Sequence, residues 1–171
     1  MSENPLAPPR GAAFLDRDGV LNVDSGFAHR PGQITWVEGA FDAVRRLNQH
    51  GLYVFVVTNQ SGVARGLYTE TDVRGLHAWM AEHFQAQGAR IDDFAYCPHH
   101  PEAAVAAYKT QCLCRKPAPG LLLNLMEKWP VDAGSSFLIG DRDTDLEAAR
   151  AAGVPGHLFS GGNLDDKIRA I

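Results

Sequence analysis

The sequence predicts an α/β fold, a five-stranded parallel sheet with helices on both faces. Three observations predict it. Short apolar runs alternate with longer stretches whose apolar residues recur at helical spacing. The run Tyr53-Val54-Phe55-Val56-Val57 is apolar throughout, as in a strand buried on both faces. Polar, chemically capable residues follow several of these runs, where open α/β sheets bind their ligands.

Residues 12–15 (Ala-Ala-Phe-Leu) read as the first strand. Residues 38–50 read as a helix, with Phe41, Val44 and Leu47 on one face and Gly51 as its C-cap. Residues 53–57 are the central strand. Residues 71–87 are a helix, with Val73, Leu76, Met80 and Phe84 spaced for one face before Gly88. Residues 94–96 form a short third strand, and residues 119–129 a helix stopped by Pro130. Residues 136–139 are the fourth strand, residues 144–152 a helix ended by Gly153, and residues 157–159 an edge strand. Strands separated by helices imply right-handed crossovers and hence a parallel sheet. The Pro-rich residues 1–11 are expected as a flexible N-terminal arm, and residues 12–171 as a single domain.

Composition narrows the function classes. The chain is 45% hydrophobic and 21% charged, ordinary for a soluble globular protein. A net charge of −4 leaves no basic footprint for nucleic acid. No apolar run approaches the ~20 residues of a membrane helix. The N-terminus lacks a signal peptide's basic flank and hydrophobic stretch. A cytoplasmic monomer with no membrane or nucleic-acid partner is expected.

The chemistry starts at Phe14-Leu15-Asp16-Arg17-Asp18-Gly19. Side chains at i and i+2 of a strand point the same way, so Asp16 and Asp18 can face one ligand at the strand's C-terminal mouth. Two such carboxylates repel unless a cation intervenes or one holds a proton. A Mg²⁺ site, an acid/base pair, or both would satisfy that. If Asp16 attacked a phosphomonoester, carboxylate and phosphate would repel, at about 4 kcal/mol per unit pair at ~4 Å and an effective dielectric near 20. Mg²⁺ and a lysine can offset this. Asp16 and Asp141 would supply carboxylates to Mg²⁺ and Asp18 its backbone carbonyl. Lys116 adds a cation, and Thr58 a hydroxyl beside backbone N–H groups that can cradle phosphoryl oxygens. Asp18 is then free to protonate the leaving oxygen and later to deprotonate the hydrolytic water.

Each element alone has a plainer reading. Asp16-x-Asp18 could be a capping turn, Thr58-Asn59 a turn, Gly140-Asp141 with Asp145 a helix start, and Lys116 a solvated side chain. Their convergence on strand ends favours chemistry. The cysteines make a second cluster. Cys97-Pro98-His99 and Cys112-Leu113-Cys114 form a Cys₃His set suited to tetrahedral Zn²⁺ and include every cysteine of the chain. His99 is preferred over His100 because it mirrors the spacing of Cys112 and Cys114. Four protein ligands leave no open position, so the Zn²⁺ would be structural, ordering a loop that ends in Arg115 and Lys116.

The order Asp-x-Asp, Thr, Lys, Gly-Asp-x-x-x-Asp resembles the haloacid dehalogenase (HAD) superfamily, with its Rossmann-like fold. The resemblance implies Asp16 as nucleophile, Asp18 as acid/base, phosphate contacts at Thr58 and Lys116, and Mg²⁺ at Asp16, Asp18 and Asp141, with Asp145 in support. Short gaps where relatives carry cap domains imply a capless member with an open site. Cys-Pro-His-His-Pro, Cys-x-Cys-Arg-Lys-Pro, Asn22-Val23-Asp24-Ser25-Gly26-Phe27 and the stretch from Val57 to Gly66 are similar to the heptose 1,7-bisphosphate 7-phosphatases. That likeness implies sugar or phosphate contacts from Asp24, Ser25, Gly26 and Phe27, from Asn59, Gln60, Ser61 and Arg65, and from Arg115 and Arg142. The implied substrate is a small sugar phosphate. Gly140-Asp141-Arg142-Asp143-Thr144-Asp145 leans instead toward the histidinol-phosphate phosphatases. A receiver-like phospho-acceptor domain would share an acidic cluster, a Thr and a Lys, but its acceptor follows a later strand. A zinc-ribbon binding module is weakened by few basic residues and no aromatic platform in the loop.

Overall fold

The computed structural model describes residues 7–171. Five parallel strands, β1 (Ala12–Leu15), β2 (Tyr53–Asn59), β3 (Asp93–Cys97), β4 (Phe137–Gly140) and β5 (Gly156–Leu158), lie in the order β3-β2-β1-β4-β5. Five helices connect and follow them: α1 (Ala40–Gln49), α2 (Glu70–Ala86), α3 (Gly120–Lys128), α4 (Asp143–Ala152) and α5 (Leu164–Arg169).

Strand alternation splits the core in two. Ala13, Leu15, Val54, Val56 and Ile139 turn to one face, against Val44 and Leu47 of α1, Leu76, Met80 and Phe84 of α2, and Leu164 and Ile168 of α5. Ala12, Phe14, Tyr53, Phe55, Val57 and Leu138 turn to the other, against Leu121, Leu122 and Leu125 of α3 and Ala148 and Ala149 of α4. Covering both faces explains why the strands read as continuous apolar runs. Each fully buried Leu, Val or Phe contributes roughly 1.5–3 kcal/mol, which holds β1 central and fixes where its C-terminal end points.

Some boundaries differ from expectation for tertiary reasons. β2 continues through Thr58 and Asn59, because β3 pairs alongside them (Thr58 with Tyr96, Asn59 with Cys97). Those two residues are strand, not turn. β5 starts one residue early, at Gly156, where a Cβ would lie 2.9 Å from Leu146 Cδ2. α2 begins at Glu70 because Thr69 caps it reciprocally: Asp72 N–H donates to Thr69 Oγ1 (3.2 Å) and Thr69 N–H to Asp72 Oδ2 (2.9 Å). α5 was not expected. Asn163 caps it, accepting from Asp166 N–H at 3.1 Å, and Asp165 receives Arg46 (2.7 Å) and Arg169 (3.1 Å). Of the expected arm over residues 1–11, residues 1–6 lie outside the described residues. Arg10 and Gly11 are fastened: Arg10 N–H donates to Pro130 O, Asp132 N–H to Arg10 O, and Tyr53 N–H to Gly11 O.

Among the described residues, the segment between β1 and α1 holds a single 3-10 turn, Pro31–Gln33, and no helix caps the C-terminal edge of the sheet there. No described helix is long and apolar enough to cross a membrane.

Candidate active site

The C-terminal ends of β1, β2 and β4 open onto a cleft of about 500 Å³. Asp16, Asp18, Thr58, Lys116 and Asp145 line it, with Asp24, Gly26, Phe27, Asn59, Gln60, Ser61, Arg65, Arg115 and Arg142. Ser25, expected at a substrate position, and Asp141, expected as a Mg²⁺ ligand, do not line it. Tyr68, Asp143 and Thr144 line it without having been singled out.

Asp16 directly follows β1, its N–H bonded to Ile139 O at 3.0 Å. Lys116 Nζ donates to Asp16 Oδ1 (2.9 Å), to Val57 O (3.0 Å) and to Asp145 Oδ1 (2.5 Å). Asp145 also accepts the N–H groups of Asp141 and Arg142, at 3.1 and 3.2 Å, which shapes the turn entering α4. Oxygens of Asp16, Asp141 and Asp145 lie within 4.8 Å of one another. One lysine thus pairs with two carboxylates of a buried three-carboxylate cluster. Burial, and Asp145 nearby, push Asp16 from 3.8 to about 7 against the opposing pull of Lys116. Asp141 is also raised, chiefly by burial. Burial pulls Lys116 down, but Asp16 and Asp145 outweigh it and hold Lys116 above the ordinary lysine value. Asp141 Oδ1 is buried and has no hydrogen-bond partner. An excess of carboxylate, with one orphaned oxygen, fits a divalent cation with hard oxygen ligands. Gly19 makes room for this cluster: at φ +93°, a Cβ there would lie 2.1 Å from Asp141 Oδ2.

Asp18 faces the same cleft, but its carboxylate does not join that cluster. Strand geometry ends at Leu15, and Asp18 accepts instead from Asn22 Nδ2 (2.9 Å), Gln60 Nε2 (3.2 Å) and the Arg17 guanidinium (3.0 Å). The i, i+2 argument therefore brings the two aspartates to one cleft without placing the Asp18 carboxylate in the Asp16 carboxylate cluster. Gln60 also donates to Thr58 Oγ1 (2.9 Å) and accepts from Tyr68 OH (2.6 Å), so its buried amide is already engaged. Asn59 exchanges two bonds with the backbone of Lys116, N–H to Oδ1 at 3.0 Å and Nδ2 to O at 3.2 Å. That pair fixes the lysine against the end of β2. Arg142 reaches Asp24 at 3.2 Å across the mouth, and the Arg65 guanidinium lies over the Phe27 ring at 5.4 Å. Arg115 Nη1 is buried without a partner.

The cysteine loop lies between β3 and α3. Cys97, His99, Cys112 and Cys114 converge: Sγ of Cys114 is 2.9 Å from Cys97 Sγ, 3.4 Å from Cys112 Sγ and 3.4 Å from His99 Nδ1. His100 turns elsewhere, its Nδ1 accepting from Glu102 N–H at 3.0 Å. A tetrahedral ion with metal–sulfur bonds of ~2.3 Å spaces its ligands by roughly 3.7 Å, so the four groups need only move slightly apart to take one. Arg115 N–H donates to Cys112 Sγ at 3.3 Å. This bond, together with those from Cys114 and Cys97, outweighs burial and lowers Cys112 to about 7, toward the thiolate a metal needs. Glu70 ties both β3 and the loop to α2, accepting from Tyr96 OH and Tyr108 OH, both at 2.8 Å. Val105 N–H donates to Ala64 O at 2.9 Å, joining the loop to the turn that carries Ser61 and Arg65.

Comparison with known proteins agrees with this geometry. A HAD-hydrolase-like family model matches residues 113–169. The chain is 50% identical over 165 residues to D-glycero-beta-D-manno-heptose-1,7-bisphosphate 7-phosphatase of Rhodopseudomonas palustris, covering 96% of this chain and 92% of that protein. The chain belongs to this phosphatase family. The Escherichia coli K12 member is 42% identical over 143 residues, 84% of this chain and 75% of that one. A crystal structure of D,D-heptose 1,7-bisphosphate phosphatase from B. bronchiseptica, complexed with magnesium and phosphate, superposes with a TM-score of 0.78 at 34% identity. It covers 94% of this chain and 86% of that one. The chain is thus a HAD-type phosphatase, with the α/β fold and parallel sheet of that superfamily.

Two further residues of the family chain stand close to the chemistry and escaped the motif reading. Arg17 is buried against Asp18, and His77 is buried against Arg17. Burial, and then the Arg17 charge, lower His77 to about 3, so the ring is neutral. A fully buried arginine inside an Asp-x-Asp motif has no sequence signature. Its partner His77, sixty positions away on α2, is linked to it only by the fold.

Proposed function

We propose that the chain hydrolyses the 7-phosphate of D-glycero-β-D-manno-heptose 1,7-bisphosphate through an aspartyl-phosphate on Asp16. One observation carries the choice of a bisphosphate. The cleft has a phosphoryl end at Asp16, Thr58 and Lys116, and also a second, unsatisfied cationic group at Arg115, whose buried Nη1 lacks a partner. A planar guanidinium suits a second phosphate because its fork binds two oxygens at once.

In this reading Lys116 neutralises phosphoryl oxygens and Thr58 hydrogen-bonds them. Asp16 Oδ attacks phosphorus, and the bond to the sugar oxygen breaks. Asp18 gives that oxygen its proton, then takes one from the water that cleaves the acyl phosphate. The side chains of Asp16 and Asp141 and the backbone carbonyl of Asp18 would hold Mg²⁺, which supplies charge neutralisation between carboxylate and phosphate. Asp145 supports Lys116. Asp24, Ser25, Gly26, Phe27, Arg65 and Arg142 would meet the sugar at the rim. Asn59 and Gln60 act there by holding Lys116 and Thr58, and Ser61 by its place in the following turn. Cys97, His99, Cys112 and Cys114 would hold a structural Zn²⁺ that fixes Arg115. The enzyme is taken as a single-domain cytoplasmic monomer.

A comparison of kcat/KM on heptose 1,7-bisphosphate, fructose 1,6-bisphosphate and histidinol phosphate tests this. The heptose bisphosphate should lead by at least about tenfold. A preference for histidinol phosphate would replace the substrate with the one that the Gly140 to Asp145 stretch favours. Release of only one phosphate per chain would make the protein a phospho-acceptor instead.

A further inference from the structure

Asp16 and Asp18 are the same chemical group at the same strand end, yet they must do different things. An oxygen of Asp16 lies within reach of one cation together with Asp141 and Asp145, and Asp18 is not in that group. Beside the bonds from Asn22 and Gln60, the residue between them holds Asp18 apart. The Arg17 side chain is fully buried, and a buried guanidinium needs both a counter-charge and acceptors for its N–H groups. Asp18 supplies the charge. Nε donates to Oδ1 at 3.2 Å, and Nη2 lies 3.1 Å from Oδ1 and 3.0 Å from Oδ2. Ala28 O accepts from Nη2 at 2.8 Å. The last side is closed by His77, whose Nε2 is 3.2 Å from Nη1. A guanidinium only donates, so Nε2 accepts and Nδ1 carries the ring proton. The His77 ring is itself fixed, stacked on Phe94 at 4.6 Å between centroids.

We propose that Arg17, oriented by His77, is a positioning residue that keeps the Asp18 carboxyl out of the carboxylate cluster and at the acid/base position. The proposal rests on the reading of Asp18 as acid/base. It makes Arg17 act through Asp18 alone, so its effect must track how much the leaving group needs a proton. A sugar alkoxide needs one. The 4-nitrophenolate ion leaves without one.

The test uses the intact enzyme with Mg²⁺ and compares kcat/KM on fructose 1,6-bisphosphate and on 4-nitrophenyl phosphate. This constant reports steps up to phosphoryl transfer onto Asp16. Arg17→Lys keeps the charge but loses the fork. It should lower kcat/KM about 100-fold on the sugar phosphate and less than about 5-fold on the aryl phosphate. His77→Phe keeps the ring stack and removes the acceptor, and should cause a selective loss of about tenfold. This second variant carries the test if Arg17→Lys does not fold. Equal losses on both substrates would show a mere structural anchor and overturn the proposal. Asp18→Asn separates the two layers. A selective loss there with none in Arg17→Lys and His77→Phe sinks the role of Arg17 alone. Equal losses in Asp18→Asn sink the acid/base reading, and the proposal with it.

Discussion

Asp16 is surrounded by more negative charge than Lys116 can offset, and it is almost wholly buried. Removing the carboxylate while keeping its shape should therefore leave the fold intact and stop the chemistry. Asp16→Asn is expected to lower phosphate release on the order of 10⁴-fold or more, with its metal content at the cysteine loop unchanged; retained turnover would exclude Asp16 as nucleophile. The same burial has a thermodynamic consequence. With Asp16 raised from 3.8 to about 7, the folded chain keeps a proton between those values that the unfolded chain has lost. Stability then falls as pH rises through that window. In buffer without added magnesium, the unfolding midpoint of the unaltered chain should drop from pH 4 to 7 relative to that of Asp16→Asn. Added Mg²⁺ should restore it at pH 7. Parallel midpoints across the range would count against a strained, metal-free carboxylate.

At the scale of elements, the cysteine loop and α5 contrast. The loop has a few anchors of its own, the Tyr108–Glu70 bond and the Val105–Ala64 bond, and the converging Cys97, His99, Cys112 and Cys114 side chains join its two ends. With the proposed Zn²⁺ in place, Cys112→Ser should reduce bound zinc, measured by elemental analysis, from about one per chain to near none, and raise KM through Arg115. An unchanged zinc content would mean a different ligand set. α5 is only six residues long and stands by docking on α1. Asp165 is its main polar tie, 6% exposed and bonded to both Arg46 and Arg169. Asp165→Ala should cost about 2 kcal/mol in urea unfolding, with little change in kcat. A loss below about 0.5 kcal/mol would show that apolar contacts of Leu164 and Ile168 carry the docking alone.

The whole molecule assembles its cleft from three strand ends, the segment between β1 and α1, the turn after β2 and the end of the cysteine loop. Substrate choice belongs to this scale, since Arg115 and Asp16 come from opposite parts of the chain. Arg115→Ala should raise KM for a sugar bisphosphate at least tenfold, and for a monophosphate by less than about twofold. Equal shifts would detach Arg115 from the second phosphate. Lys116 illustrates how the fold sets roles: its neighbour Arg115 is free at Nη1, whereas Lys116 is bound on three sides and locked by Asn59.

Much was legible along the chain because it depends on local periodicity. The apolar runs marked every strand, and polar residues at the C-terminal ends of β1, β2 and β4 announced Asp16, Thr58 and Asp141. Cysteine spacing marked the second cluster. α5 was missed because two apolar residues in six do not make a periodic signal, although Asn163 followed by Asp165 and Asp166 was a usable N-cap cue. The separate settings of Asp16 and Asp18, the engaged amides of Asn59 and Gln60, and the buried Arg17–His77 pair were decided only in three dimensions. Which acceptor a buried polar group finds depends on what distant segments bring within hydrogen-bonding distance, and residue order does not encode that distance.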